Sequence, residues 1–313
     1  MSDLKYNNNE YKNLITEFFG EIFYLPELSY GTKIQKIRQY TEIVLRRLLN
    51  YSCDKNIEIG NSFTIEKLDK KGFTEPLFRD SLEVIRSSGN ERTHTKYRHT
   101  ATEKEYQEVL DSIFNIYGYL FYKFFKKWPF GKNPDIVTAF SCLPPIIRHI
   151  TLTALYEDDT KNPIIVDKLI LAKLKVYGKE VSDSWVESHK DVLLTLYPDI
   201  DADTLKNLIP IVGLEAAVKA VAAMSNDMYH ICKEKIEKVQ NLFFSNPLYS
   251  DFETAKTYYE QHGVVPGNSQ EVTEFNDLME FIYIGRRKKE TEISSIPERN
   301  YIISRIVWVS PEN

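Results

Sequence analysis

From Tyr106 to Phe125 the chain keeps an apolar stripe at helical spacing: Tyr106, Val109, Leu110, Ile113, Phe114, Tyr117, Leu120, Phe121, Phe124 and Phe125. Apolar residues three and four apart form one face of an α-helix, whereas a half-buried strand needs alternation. Thr102, with Glu105 three residues on, reads as the capping box that opens this helix. A helix this long and this apolar must be covered, and the flanking sequence supplies helices to cover it. Lys33–Asn50 carries Ile34, Ile37, Val44, Leu45, Leu48 and Leu49 on one side, with Ser29 or Thr32 as its cap. Tyr11–Leu25 is amphipathic, with Phe18, Phe19, Phe23 and Tyr24. A short helix is expected near Glu66–Lys70. Thr74-Glu75-Pro76 opens another, burying Leu77, Phe78, Leu82 and Ile85, with Gly89 as its C-terminal stop.

The fold class expected is all-α, with an N-terminal helical bundle over residues 1–130. Trp128-Pro129-Phe130-Gly131-Lys132-Asn133-Pro134 reads as its boundary. Residues 131–313 read as a second, mainly helical domain of unknown role. Its periodic segments are Ile164–Tyr177, Ser182–Leu196, Leu214–Leu242 and Asp251–His262, and Tyr301–Val309 reads as a strand or a terminal helix.

The 313 residues carry a net charge of -5, which excludes coating of nucleic acid by overall charge and leaves only local patches. Cys53, Cys142 and Cys232 lie far apart with no paired spacing, which excludes a cysteine-rich zinc module and suits a reducing cytoplasm. No apolar run approaches the roughly 18 residues a membrane span requires, so no membrane association is expected. Glycine-rich phosphate loops, GxSxG and HExxH are absent, so no cofactor and no metal site is expected. His149, His189, His230 and His262 are scattered without ligand spacing.

One segment stands apart. Between Arg86 and Lys104 lie Arg86, Arg92, Lys96, Arg98 and Lys104 against only Glu91 and Glu103, with His94 and His99 among them. In an acidic protein this is a focused positive spot suited to a phosphate. Histidine titrates where proton transfer at neutral pH requires it, and arginine offers a planar fork to phosphate oxygens. Asn90 is placed to orient either partner. A second basic run, Arg286-Arg287-Lys288-Lys289, is a candidate contact for a nucleic-acid backbone, although such a run at a helix end is commonly just solvated.

The segment IRSSGNERTH, between an amphipathic helix and TEKEYQEVLDSIFNIYGYLF, resembles the HEPN superfamily, in particular a branch associated with restriction and phage defence. The upstream helix RQYTEIVLRRLL, with Arg38 and Glu42 four apart, is also typical of it. The resemblance covers about residues 30–127 and implies a helical bundle that forms a homodimer. In many members, an Arg and a His from each chain cleave RNA without a metal. Carried over by position, Arg86 is the motif arginine, Asn90 its polar companion and His94 the motif histidine. Glu42 would orient Arg86, and Arg38 would support it. Seven residues separate Arg86 from His94, where the motif usually has four to six. Arg92 and His99, with six between them, form the reserve pair.

The function these features imply is a metal-independent endoribonuclease effector of a bacterial defence or toxin–antitoxin system, cytoplasmic and dimeric. Lys96, Arg98, Arg286 and Arg287 would contact RNA, and an antitoxin or defence-system protein would be the partner. The alternative is a non-catalytic HEPN module that binds nucleic acid or protein within a larger assembly. A nucleotide sensor stacking a base on Tyr249, Tyr258, Tyr259 or Tyr283 is a third class.

Overall fold

The computed structural model describes residues 9–52, 54–93, 100–198, 206, 209–217, 226–245 and 251–288. Every regular element among them is helical, with no strand, and no helix is long and apolar enough to cross a membrane. The described residues divide into two units, one drawn from 9–121 and 265–288 and the other from 122–264.

The first unit contains α1 (Asn9–Tyr24), α2 (Tyr30–Leu48), α3 (Ser62–Lys70), α4 (Pro76–Thr93), most of α5 (Glu103–Lys127) and α12 (Gln270–Tyr283). The expected caps form. Ser29 Oγ accepts from the Thr32 N–H. Thr102 and Glu105 bond reciprocally, the Thr102 N–H to Glu105 Oε2 at 2.7 Å and the Glu105 N–H to Thr102 Oγ1 at 3.3 Å. α1 and α4 each pack on α2. Their aromatic residues meet in the core, where Phe19 stands edge-on to Tyr40 at 4.9 Å and the Tyr40 and Tyr117 hydroxyls hydrogen-bond each other. Burial raises both phenols, Tyr40 well above its usual value and Tyr117 to about 12, so the pair stays neutral. Phe121 of α5 meets Phe275 of α12. Asn276 clips the preceding turn onto α12, accepting from the Val265 N–H and donating to its carbonyl.

α4 departs from expectation. It does not stop at Gly89 but runs four residues further, to Thr93. The reason is tertiary: Gly89 faces α2, and a methyl there would lie 2.5 Å from Arg38 Cδ. The glycine lets two helices approach, which is a packing role and not a terminating one.

The second unit contains the last turn of α5, then α6 (Pro134–Phe140), α7 (Pro145–Asp158), α8 (Pro163–Ser188), α9 (Lys190–Leu193), α10 (Met228–Ser245) and α11 (Phe252–Tyr258), followed by a single π-helical turn, Tyr259–Gly263. Asn133 and Asn162 cap α6 and α8, each followed by proline at the first helical position. The segment read as a boundary is part of a core: Phe130 packs against Phe125 at 4.8 Å and Phe140 at 5.7 Å. α8 spans both an expected helix and the start of the next, interrupted at Gly178, whose φ of 79° only glycine adopts readily. The single helix expected over Leu214–Leu242 is broken at Asn226 and Asp227. There Asp227 Oδ1 accepts from the His230 N–H at 3.0 Å and starts α10 anew. α7 and α10 pack along α8. Tyr301–Val309 lies outside the described residues.

Candidate functional site

The sequence-derived site begins on α4. Its continuation past Gly89 keeps Arg86 and Asn90 on one helix, one turn apart. The stem of Arg86 lies over Gly60, in the turn before α3, at a φ of 88°; a side chain at residue 60 would collide with it. Its side chain is 35% exposed, and the guanidinium is held by Glu83, three residues back, with Nε donating to Oε2 at 2.7 Å. The pairing depresses the Glu83 carboxyl and raises Arg86 further.

Glu42 does not orient Arg86, as the resemblance implied. Its partner is Arg38 on the same helix, at 3.7 Å, and the Ile59 N–H also donates to it. Burial nevertheless raises the Glu42 carboxyl, with Arg38 as the largest opposing influence. The cause is proximity: a carboxylate one helical turn from Arg86 is already available at Glu83, so Glu42 serves Arg38. Arg38 in turn covers Gly89. The arrangement is a strip running Glu42–Arg38–Gly89 along the α2–α4 contact, with Arg86 and Gly60 beside it. Sequence reasoning missed Gly60 and Glu83. The spacing of Glu83 from Arg86 was a readable signal, but the contact with Gly60 was not.

Asn90 is half-buried, and Arg92 is the penultimate residue of α4. His94, Lys96, Arg98 and His99 lie outside the described residues.

The C-terminal basic run is not a uniform surface patch. Arg286 is 6% exposed, its guanidinium 4.5 Å from the Phe19 ring centre and 4.0 Å from that of Phe23. Its expected role as a surface RNA contact is corrected on that ground: the cation is committed to two aromatic faces inside the first unit. Arg287 is exposed, lies over Tyr24 at 4.2 Å, and donates its backbone N–H to the Tyr24 hydroxyl. Of the sensor tyrosines, Tyr259 and Tyr283 are buried, Tyr258 is half-buried, and Tyr249 lies outside the described residues.

Among the described residues, no group of His, Cys, Asp and Glu is arranged to hold a metal ion. The comparisons with known proteins return nothing: no family model, no curated protein and no solved structure matches this chain.

Proposed function

We propose that the segment from Arg86 to His99 engages the phosphodiester of RNA and that the chain is a metal-independent endoribonuclease acting as a homodimer. The observation that carries this reading is the accessibility of Arg86 on a helix that continues toward the histidines. Among the described residues the Arg86 guanidinium is paired with Glu83 at the surface, and such pairs contribute roughly 0–1 kcal/mol. A phosphate can displace Glu83 at little cost and gain the stronger bidentate contact. Asn90, one turn further on, supplies a neutral donor beside it.

The chemistry follows from the residue types. One imidazole, His94 in the leading assignment, accepts the 2′-hydroxyl proton. The 2′-oxygen forms a bond to phosphorus, and the bond from phosphorus to the 5′-oxygen breaks. A second imidazolium, His99 or a partner's His94, returns a proton to the leaving oxygen. Arg86 neutralises the charge that builds on the non-bridging oxygens. The products are a 2′,3′-cyclic phosphate and a 5′-hydroxyl. A role in bacterial defence or as a toxin, with a protein partner, rests on the family resemblance alone.

The test is incubation of the purified full chain with RNA in EDTA. Cyclic-phosphate ends are expected, and they should be lost in both His94→Ala and Arg86→Ala proteins of unchanged helicity. RNA binding that depends on Arg86 without cleavage would instead support the non-catalytic module. That second reading is favoured by one observation, the prior occupation of the Arg86 fork by Glu83. Neither binding nor cleavage would end both.

A further inference from the structure

The connection from α2 to α3 reaches the surface at Gly60, beneath the stem of Arg86. The turn is fixed from both sides. Upstream, Ile57 and Ile59 are buried, and the Ile59 N–H donates to Glu42 of α2. Arg46, one turn beyond Glu42, donates from Nε to the Lys55 carbonyl at 2.7 Å. Downstream, the Asn61 N–H donates to the Glu58 carbonyl at 3.3 Å, and Asn61 Oδ1 caps α3 by accepting from the Phe63 N–H at 2.9 Å. Gly60 has a φ of 88°, which residues with a β-carbon rarely adopt. A β-carbon there would stand 3.1 Å from Arg86 Nε and 3.5 Å from its Cγ, and would overlap Cδ. α4 thus lays its arginine across a piece of backbone that α2, the α3 cap and two buried isoleucines hold in place.

Glu83 and Gly60 touch Arg86 in different ways. Glu83 holds the fork from an exposed position, where a phosphate can take its place. Gly60 meets the stem, which no ligand needs to displace. An arginine side chain has several rotatable bonds, and one that is free in solution loses much of that freedom when it grips a ligand. A stem already resting on a fixed turn has lost part of it in the folded protein, so less is lost on binding. Glycine alone meets both requirements at position 60, a left-handed backbone and no atom where the stem passes. Gly267, in the same unit, shows that the two are separable. Its φ is 120°, yet a β-carbon there meets nothing nearer than Val272 at 4.0 Å.

We propose that Gly60 is a positioning residue: it carries no chemistry itself and sets the place from which the Arg86 guanidinium meets a phosphodiester. The inference rests on the RNA reading of Arg86 given above. The experiment is titration of a labelled RNA with full-chain proteins at several salt concentrations. Gly60→Ala and Gly60→Asn are both expected to weaken binding several-fold at low salt, to within about twofold of Arg86→Gln. Each should also lower the slope of log affinity against log salt by about one, the loss of a single phosphate contact. A purely structural role would not move that slope. Asparagine tolerates the left-handed backbone better than alanine, so Gly60→Asn separates crowding of Arg86 from backbone strain. It decides alone should Gly60→Ala fail to fold. Added to Arg86→Gln, neither change should weaken binding further. Gly267→Ala, strained in backbone but open around its β-carbon, should keep the wild-type affinity and slope. Wild-type behaviour of the Gly60 variants beside an impaired Arg86→Gln would overturn the positioning role and leave the RNA reading standing. A wild type that binds no RNA, or an Arg86→Gln protein that binds as well, would end the RNA reading and this proposal with it.

Discussion

Gly89 of α4 and Arg38 of α2 are in direct apposition, the backbone of one helix resting on the stem of an arginine from the other. Three carbons of that stem crowd the missing side chain, Cβ at 3.1 Å, Cγ at 3.2 Å and Cδ at 2.5 Å from where a methyl would stand. Ordinarily, alanine for glycine inside a helix stabilises by about 1 kcal/mol. Here Gly89→Ala is expected to destabilise by about 1–2 kcal/mol, because the nearer part of the stem cannot swing aside. In an Arg38→Ala background the same change should become stabilising. Urea unfolding of the four proteins measures this, and additive effects would refute the apposition.

Glu83 competes with any phosphate for Arg86. Glu83→Gln is therefore expected to tighten RNA binding several-fold at low salt, roughly 1 kcal/mol in a surface setting. Arg86→Gln should weaken it and reduce the dependence on salt concentration. Titration of a labelled RNA at two salt concentrations checks both. A loss of affinity on removing Glu83 would mean that it positions Arg86 for binding.

Arg286 and Arg287 are adjacent in sequence and opposite in consequence. Arg286→Ala removes a buried guanidinium from the faces of Phe19 and Phe23 and should lower stability by about 2 kcal/mol or more. Arg287→Ala, at an exposed position, should change stability by less than about 0.5 kcal/mol. Comparable losses from the two substitutions, read as Tm, would contradict the burial of Arg286.

Breaking the buried pair between α8 and α10 should be severe. Asp167→Asn strands Lys235 without its carboxylate, and a change of this kind destabilises by about 3–5 kcal/mol. The double replacement Asp167→Leu with Lys235→Met should recover most of the loss. Chemical denaturation of single and double variants is the check, and a mild single variant would show that the pair is well hydrated.

His149 sets a pH dependence of stability. Burial, with Lys173 adding repulsion, lowers it to about 4, whereas an unfolded histidine titrates near 6.5. The unfolded chain therefore takes up a proton that the folded chain refuses as pH falls between these values. This contribution is complete above about pH 6.5, declines toward pH 4 and is level below it, a drop on the order of 2–3 kcal/mol. His149→Gln should remove that slope, so the difference in unfolding free energy between wild type and variant should shrink on acidification. A difference that holds constant from neutral pH down to the acid end would rule it out.

What could be read from the sequence was local. Ser29, Pro76 and the Thr102–Glu105 box declared helix starts correctly because a cap bonds residues three positions apart. The stripe of α5 was equally plain. Gly89 was misread because the same residue that ends a helix by its own flexibility also permits a neighbour to come close, and the neighbour lies some fifty positions upstream. The burial of Arg286 depends on Phe19 and Phe23, at the far end of the chain, and nothing near Arg286 announces it. Asp167 was different. A carboxylate inside Ile164-Ile165-Val166-Asp167-Lys168-Leu169-Ile170 interrupts an apolar face and signals a buried partner, although not which one. For the candidate site, the basic segment was evident and the partner of Arg86 was not, because two carboxylates lay within plausible reach.

The first unit draws on two stretches separated by more than a hundred residues, with α12 delivered only after the whole intervening unit. During synthesis, α1 through α5 must therefore wait, with Phe121 lacking Phe275 and Phe19 lacking Arg286, until the intervening stretch and α12 have been made. A truncation after α5 would leave the amino-terminal helices permanently short of their last wall, so a fragment cut there to isolate the Arg86 segment would report on an unfinished core.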